Sequence, residues 1–150
     1  MTSKIIWGNA VWFLFHTLAY KIKNDNSVKE LTNYIFEICT NLPCPECRND
    51  AVNILNRSNL KNINTKQELI SFLIVFHNIV NEKLGKPKFT EKENNEKYSK
   101  AITLKVIKHY FDIMQHQKYN SKILIDTYRQ RLFLKKFKIY INNHINDYLP

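Results

Sequence analysis

Leu42-Pro43-Cys44-Pro45-Glu46-Cys47-Arg48 decides how the rest of the chain is read, because it sets two cysteines three residues apart beside a helix-starting proline. Cysteines at this spacing serve either as a dithiol/disulfide couple or as half of a zinc site. Proline is tolerated in the first turn of a helix, where its missing N–H had no partner to lose, so a helix is expected to begin near Pro45. Cys44 then falls near the N-cap and Cys47 in the first turn. Both sulfurs sit in the positive end of the helix field and Arg48 follows directly; each lowers a thiol pKa and makes a thiolate available near neutrality. The plain alternative is a buried pair of small apolar side chains, which two prolines and an arginine suit less well than a reactive turn.

The 150 residues fit one domain with room for an appendage, and the chain is long enough to bury a core without cross-links. Its 3 cysteines form no closed set of bridges, so Cys39 is left over, with packing as its expected role. Only 2 glycines and 4 prolines argue against a turn-rich β fold and for an all-helical one. No stretch approaches the roughly 18 apolar residues of a membrane span, and Met1 to Gly8 lacks a basic region followed by an apolar run. A soluble cytosolic protein is therefore expected, in a compartment where a cysteine couple is more often catalytic than structural. Lys+Arg 23 against Asp+Glu 13 gives a net charge of +10, enough to attract phosphates or acidic surfaces. The charge is dispersed, without runs of five or six, which leaves nucleic-acid binding a weak second reading.

Outward from the cysteines, helical periodicity accounts for most of the chain. Ile5, Val11, Leu14, Phe15, Leu18 and Ile22 mark a first helix to about Lys23, with Trp12, His16 and Tyr20 along a neighbouring side at four-residue spacing. That row reads equally as an aromatic core stripe. Asn24 to Ser27 should break the chain and cap a second helix to about Thr40, carrying Val28, Leu31, Ile35 and Ile38 inward. In the third helix Ala51, four residues after Cys47, leaves room for something flat. Thr65 and Glu68 form a capping box for the fourth, whose stripe is Leu69, Leu73, Phe76, Val80 and Leu84, with His77 and Asn81 beside it. Gly85 and Pro87 end it among Lys83, Lys86, Lys88 and Lys92, which suit either a diphosphate or a solvated helix end. A fifth helical stretch is expected from about Thr90 to Met114, with Tyr98, Ile102, Val106 and Tyr110 in one row. After an interruption at 115–121, one more long helix is allowed, and this basic tail is either a partner-binding element or a helix packed on the bundle.

Three separated motifs, Trp7-Gly8 with Trp12 and His16-Thr17-Leu18-Ala19, then the cysteine stretch, then Phe76-His77-Asn78-Ile79-Val80-Asn81-Glu82-Lys83-Leu84-Gly85-Lys86-Pro87, resemble the Erv/ALR family of FAD-linked sulfhydryl oxidases. The compact form is most similar to those encoded by large cytoplasmic DNA viruses. The resemblance covers roughly residues 5 to 114 and implies a four-helix bundle with a short fifth helix over 1–114, followed by a C-terminal helical extension over 115–150. It implies FAD beside the cysteine pair, with Cys47 next to the flavin and Cys44 exchanging with substrate thiols. Gly8, Trp12, His16, Tyr20, His77, Asn78, Val80, Asn81, Lys83, Lys86 and Tyr98 would hold the cofactor, and no metal is expected. Electrons would pass from substrate dithiols through Cys44 and Cys47 to FAD and on to dioxygen, giving hydrogen peroxide.

Two departures matter. Many relatives carry a second, shuttling cysteine pair and another that ties the bundle near the adenine; this chain has neither. A separate dithiol carrier, thioredoxin-like or a small CxxC protein, is expected to relay electrons, with the basic stretch Lys118 to Lys138 as its docking element. The resemblance also implies a homodimer, for which helices one and two are the expected interface, and viral disulfide formation in the host cytoplasm or a place in the virion. The rivals are a zinc-stabilised module, for which His16, His77, His109, His116 and His144 offer no tight second ligand pair, and a basic nucleic-acid binder.

Overall fold

The computed structural model describes residues 4–117 and 124–150. Along it run α1 (Lys4–Lys21), α2 (Val28–Thr40), α3 (Pro45–Arg57), α4 (Lys66–Lys83), α5 (Glu91–Tyr98), α6 (Thr103–Gln115) and α7 (Leu124–His144). The fold is all-α, as the scarcity of glycine and proline implies; an isolated antiparallel bridge pairs Ile22 with Tyr148.

Local chemistry sets the helix ends where the sequence puts them. Cys44 is extended (φ −107, ψ 120) and Pro45 opens α3, while the Cys47 N–H donates to Cys44 Sγ at 3.2 Å. Thr65 and Glu68 make both halves of the capping box of α4, worth about 1 kcal/mol. Gly85 takes φ 69 just past α4, a left-handed turn that a residue without Cβ adopts freely, and lets the Lys86 N–H reach back to the Asn81 carbonyl at 2.8 Å.

α1 is the central helix: from Ala10 to Ile22 no residue is exposed, because α4, α5 and α6 flank it. A helix apolar on most of its sides belongs inside. α2 packs against α3 and α4, closing the bundle around the cysteine turn.

The expected fifth stretch from Thr90 to Met114 is instead two helices. α5 ends at Tyr98, Ile102 is extended (φ −94, ψ 112) and 51% exposed, and α6 starts afresh at Thr103. The row Tyr98, Ile102, Val106, Tyr110 is therefore split: Tyr98 packs on His16, whereas Val106 and Tyr110 join the core of α6, which lies along α1. Periodicity cannot reveal such a break when neither glycine nor proline marks it.

From residue 124 the tail is a packed helix. Phe137 of α7 is fully buried against Phe111 (ring centroids 5.6 Å) and Tyr110 (5.8 Å) of α6, and burying one such side chain is worth about 1.5–3 kcal/mol. Tyr140 stacks on Tyr34 of α2 at 4.3 Å, and Lys136 pairs with Glu37 at 2.8 Å. Beyond α7 the chain laces α1 to α6: Leu149 N–H donates to the Lys21 carbonyl (2.6 Å) and Thr103 N–H to the Pro150 carbonyl (2.9 Å). α6 thus lies along α1, and α7 meets α2 through Tyr140 on Tyr34 and Lys136 on Glu37, while Ile5 and Ile6 at the start of α1 stay exposed.

Candidate functional site

Cys44 and Cys47 are joined as a disulfide with Cα atoms 5.1 Å apart, both sulfurs half-buried at the start of α3. Cys47 lies in the wall of a cavity of about 420 Å³ between α1, α3 and α4; Cys44 does not. This volume falls within the roughly 300–1,000 Å³ of small-molecule sites. A larger, more open groove of about 1040 Å³ runs along the outside of α3 and α4 and shares Asp50, Ile54, Phe76 and Lys83 with it, but neither sulfur reaches it. The chemistry belongs to the smaller cavity.

Its walls suit a flat conjugated ring. Trp12 lies parallel to His77, ring centroids 4.0 Å apart and planes 7° from parallel, with the Phe76 ring edge-on at 4.9 Å. Ala51 keeps the opposite wall low, as its place one turn after Cys47 implies, and a Cβ added at Gly8 would meet nothing within 4 Å. Val80 and the buried amide of Asn81 continue the wall, and Lys83 and Lys86 stand where α4 ends, positioned for an anionic group. Lys83 is more than half exposed and only 3.9 Å from Asp50, a loose pair that an anion would displace at little cost.

Of the residues expected to hold a cofactor, Gly8, Trp12, Cys47, His77, Val80, Asn81, Lys83 and Lys86 come together here. His16, Tyr20, Asn78 and Tyr98 do not line the cavity. His16 stands behind His77, its Nε2 3.0 Å from His77 Nδ1, with Tyr98 stacked on its other side at 4.5 Å and its own Nδ1 buried without a partner. Tyr20 bonds to α5, donating to Asn95 Oδ1 and accepting from Asn94 Nδ2 (3.1 Å). Asn78 pins the loop after α4, donating to the Phe89 carbonyl (3.0 Å) and accepting from its N–H (3.1 Å), which brings the Phe89 ring to 4.7 Å from His77. His16 and Asn78 thus back His77 on the wall, Tyr98 packs behind His16, and Tyr20 ties α1 to α5.

Burial holds both imidazoles neutral. His16 is lowered to about 3, first by desolvation and then by His77; His77 is lowered to about 4, first by desolvation and then by Lys97 and Lys86. With Nδ1 engaged, His77 has only Nε2 left to offer a ligand. Cys39 is fully buried and burial pushes its thiol well up, so although it touches the cavity wall it stays an apolar thiol, as its expected packing role requires.

Sequence reasoning left out Asn9 and Asp50 on the wall, named Trp7 only within a motif, and put Phe15, Phe76 and Leu84 in core stripes. Asp50 was findable, three residues after Cys47 on the same side of α3; a stripe residue bordering a cavity reads like any other core residue. Of the docking stretch Lys118 to Lys138, residues 118–123 lie outside the described residues and the rest belongs to α7. Among the described residues, no group of three or more His, Cys, Asp or Glu is arranged to hold a metal, and no helix is long and apolar enough to cross a membrane.

A helical bundle with a cysteine pair at a helix start, one sulfur beside an aromatic-walled cavity, is what the chain brings to its family. Residues 9–99 match the Erv1 / Alr family, and the chain belongs to it. It is 33% identical over 97 residues to the 096R protein of Invertebrate iridescent virus 3, covering 62% of this chain and 66%, just under two thirds, of that one. It is 28% identical over 106 residues to the FAD-linked sulfhydryl oxidase of African swine fever virus (69% of this chain, 87% of that one). The rice FAD-linked sulfhydryl oxidase ERV1 is 29% identical over 99 residues (62% and 49%). No solved structure matches the chain.

Proposed function

We propose that this protein is a FAD-dependent sulfhydryl oxidase that forms disulfides in substrate dithiols. One observation carries the reading: of two disulfide-bonded cysteines at the start of α3, Cys47 alone borders a cavity shaped for a flat ring and edged by lysines. The residues fit FAD. Trp12, His77 and Val80 would flank its rings, Asn81 would hydrogen-bond it, and Lys83 and Lys86 would face its diphosphate.

The chain's own part is thiol exchange. A substrate thiolate attacks Cys44 Sγ, the S–S bond breaks, and Cys47 Sγ leaves with the electron pair as a thiolate in the positive end of α3. The second substrate thiolate attacks its partner sulfur in the mixed disulfide and releases Cys44, so the substrate leaves oxidised while the protein keeps two electrons on Cys44 and Cys47. Held by Trp12, His77, Val80, Asn81, Lys83 and Lys86, FAD would supply the two-electron route from the cysteine pair to dioxygen, with hydrogen peroxide as the product. The half-buried pair is open to small dithiols more than to bulky folded clients, which supports a separate dithiol carrier as the physiological donor.

The test is the purified protein's visible spectrum and its oxygen uptake with dithiothreitol. Cys47→Ser is expected to stay yellow and lose turnover. Cys44→Ser is expected to lose turnover and gain a long-wavelength absorbance from Cys47 thiolate against the flavin. A colourless protein that takes up no flavin, or a Cys47→Ser protein that still consumes oxygen with thiols, overturns the proposal.

A further inference from the structure

Two side chains of α7 close on the turn that carries the cysteines. Gln130, 1% exposed, donates from Nε2 to the Leu42 carbonyl at 3.2 Å. Arg48, in the first turn of α3, donates from Nη1 to that same carbonyl at 3.2 Å and from Nη2 to Asp126 at 3.2 Å. Leu42 is itself buried, borders the ring-shaped cavity and precedes Cys44 by two residues, so its carbonyl fixes the direction in which the chain enters the disulfide. The Gln130 amide oxygen has no partner. Burying an unpaired oxygen costs roughly 1–3 kcal/mol, so an apolar side chain would seat α7 on the bundle at less cost. What an apolar side chain cannot do is hold the Leu42 carbonyl. The matched span 9–99 ends before α6, so α7 lies outside the part of the chain that the family describes.

We propose that Gln130 is a positioning residue for the Cys44–Cys47 centre, and that Asp126 serves the same end by aligning Arg48. The inference rests on the reading of that pair as the redox couple. Reducing the disulfide adds two electrons and two protons and leaves two thiols that need no longer stay together. With the turn clamped from α7 they remain in register and at high effective concentration, which favours re-formation of the S–S bond. A looser turn weakens the disulfide and leaves Cys44 less well placed for attack.

The experiment equilibrates the flavin-loaded protein, with oxygen excluded, against dithiothreitol at fixed ratios of reduced to oxidised reagent, traps free thiols by alkylation and counts them by mass. Gln130→Met keeps length and packing and removes the donor; Asp126→Ala frees Arg48. Ile139→Ala, on the exposed face of α7 (61% exposed), is the control. Gln130→Met is expected to keep its flavin and helicity while its disulfide weakens about tenfold, a rise of about 30 mV in potential, with a slower reaction toward dithiothreitol. Asp126→Ala should shift the same way, and it decides the matter if Gln130→Met fails to fold. A lower melting temperature with an unchanged potential in both variants would mean that α7 only stabilises the bundle, and the inference falls. If the unaltered protein does not oxidise thiols at all, the fault lies with the proposed function instead.

Discussion

His16 and His77 share one proton between facing nitrogens 3.0 Å apart, and the environment that pairs them also keeps both neutral. In the unfolded chain their imidazoles take up protons below about pH 6.5, whereas in the folded protein they wait until about 3 and about 4. Stability from this pair is therefore complete above pH 6.5 and is lost as pH falls toward 4, because the unfolded state binds more protons in that window. The melting temperature is expected to fall between pH 6.5 and 4.5 together with release of flavin, read by its fluorescence. His77→Gln, with one titrating ring fewer, should show a shallower fall; an identical slope would mean that other groups carry it. The residue scale also shows what spacing could and could not tell. Trp12 and His77 were legible through the family resemblance, since spacing alone leaves the Trp12 row open as a core stripe and sets His77 only beside one. Tyr20, eight residues beyond Trp12 and so about 12 Å along the axis, shares the side but has passed the end of the cavity and meets α5.

At the scale of elements, beginnings were easier to foresee than ends. The starts of α3 and α4 were legible because proline and a Thr/Glu capping box act within a few residues of themselves. The division between α5 and α6 was not, since no glycine or proline near Ile102 marks the place where the chain turns extended between two helices that both pack on α1. Gly85 is the element-ending residue with most bearing on the site. Its left-handed backbone turns Lys86 back over the cavity, and open space around it means that an added methyl meets no clash. Gly85→Ala is thus expected to cost about 1–2 kcal/mol through backbone conformation alone. Its measurable signs are a lower denaturation midpoint and weaker flavin affinity, with potential and thiol exchange untouched. A variant as stable as the parent would show that the turn can reach another conformation freely.

For the whole molecule, the internal seating of α6 and α7 changes what the bundle asks of its surroundings. The expectation of a dimer came from the family resemblance, and the choice of helices one and two from their apolar surface; part of that surface is used within the chain, by α6 on α1. Sequence patterns give the amount of such surface and not its partner, since contacts such as Gln130 with Leu42 join residues 88 apart. Sedimentation at micromolar concentration is expected to show two 18.0 kDa chains together, as the family resemblance implies, and a chain cut after Gln115 to associate further through the uncovered face of α2. A single 18.0 kDa species would show that the surface left outside α6 and α7 is too small to join two copies. Where two chains must meet to complete a core, stability carries the protomer concentration within it and fades on dilution. Here one chain closes the core around Cys44 and Cys47, so a second copy joined on the outside should leave the melting temperature nearly unmoved by dilution, and each copy can complete the turn that holds its cysteine pair as it folds.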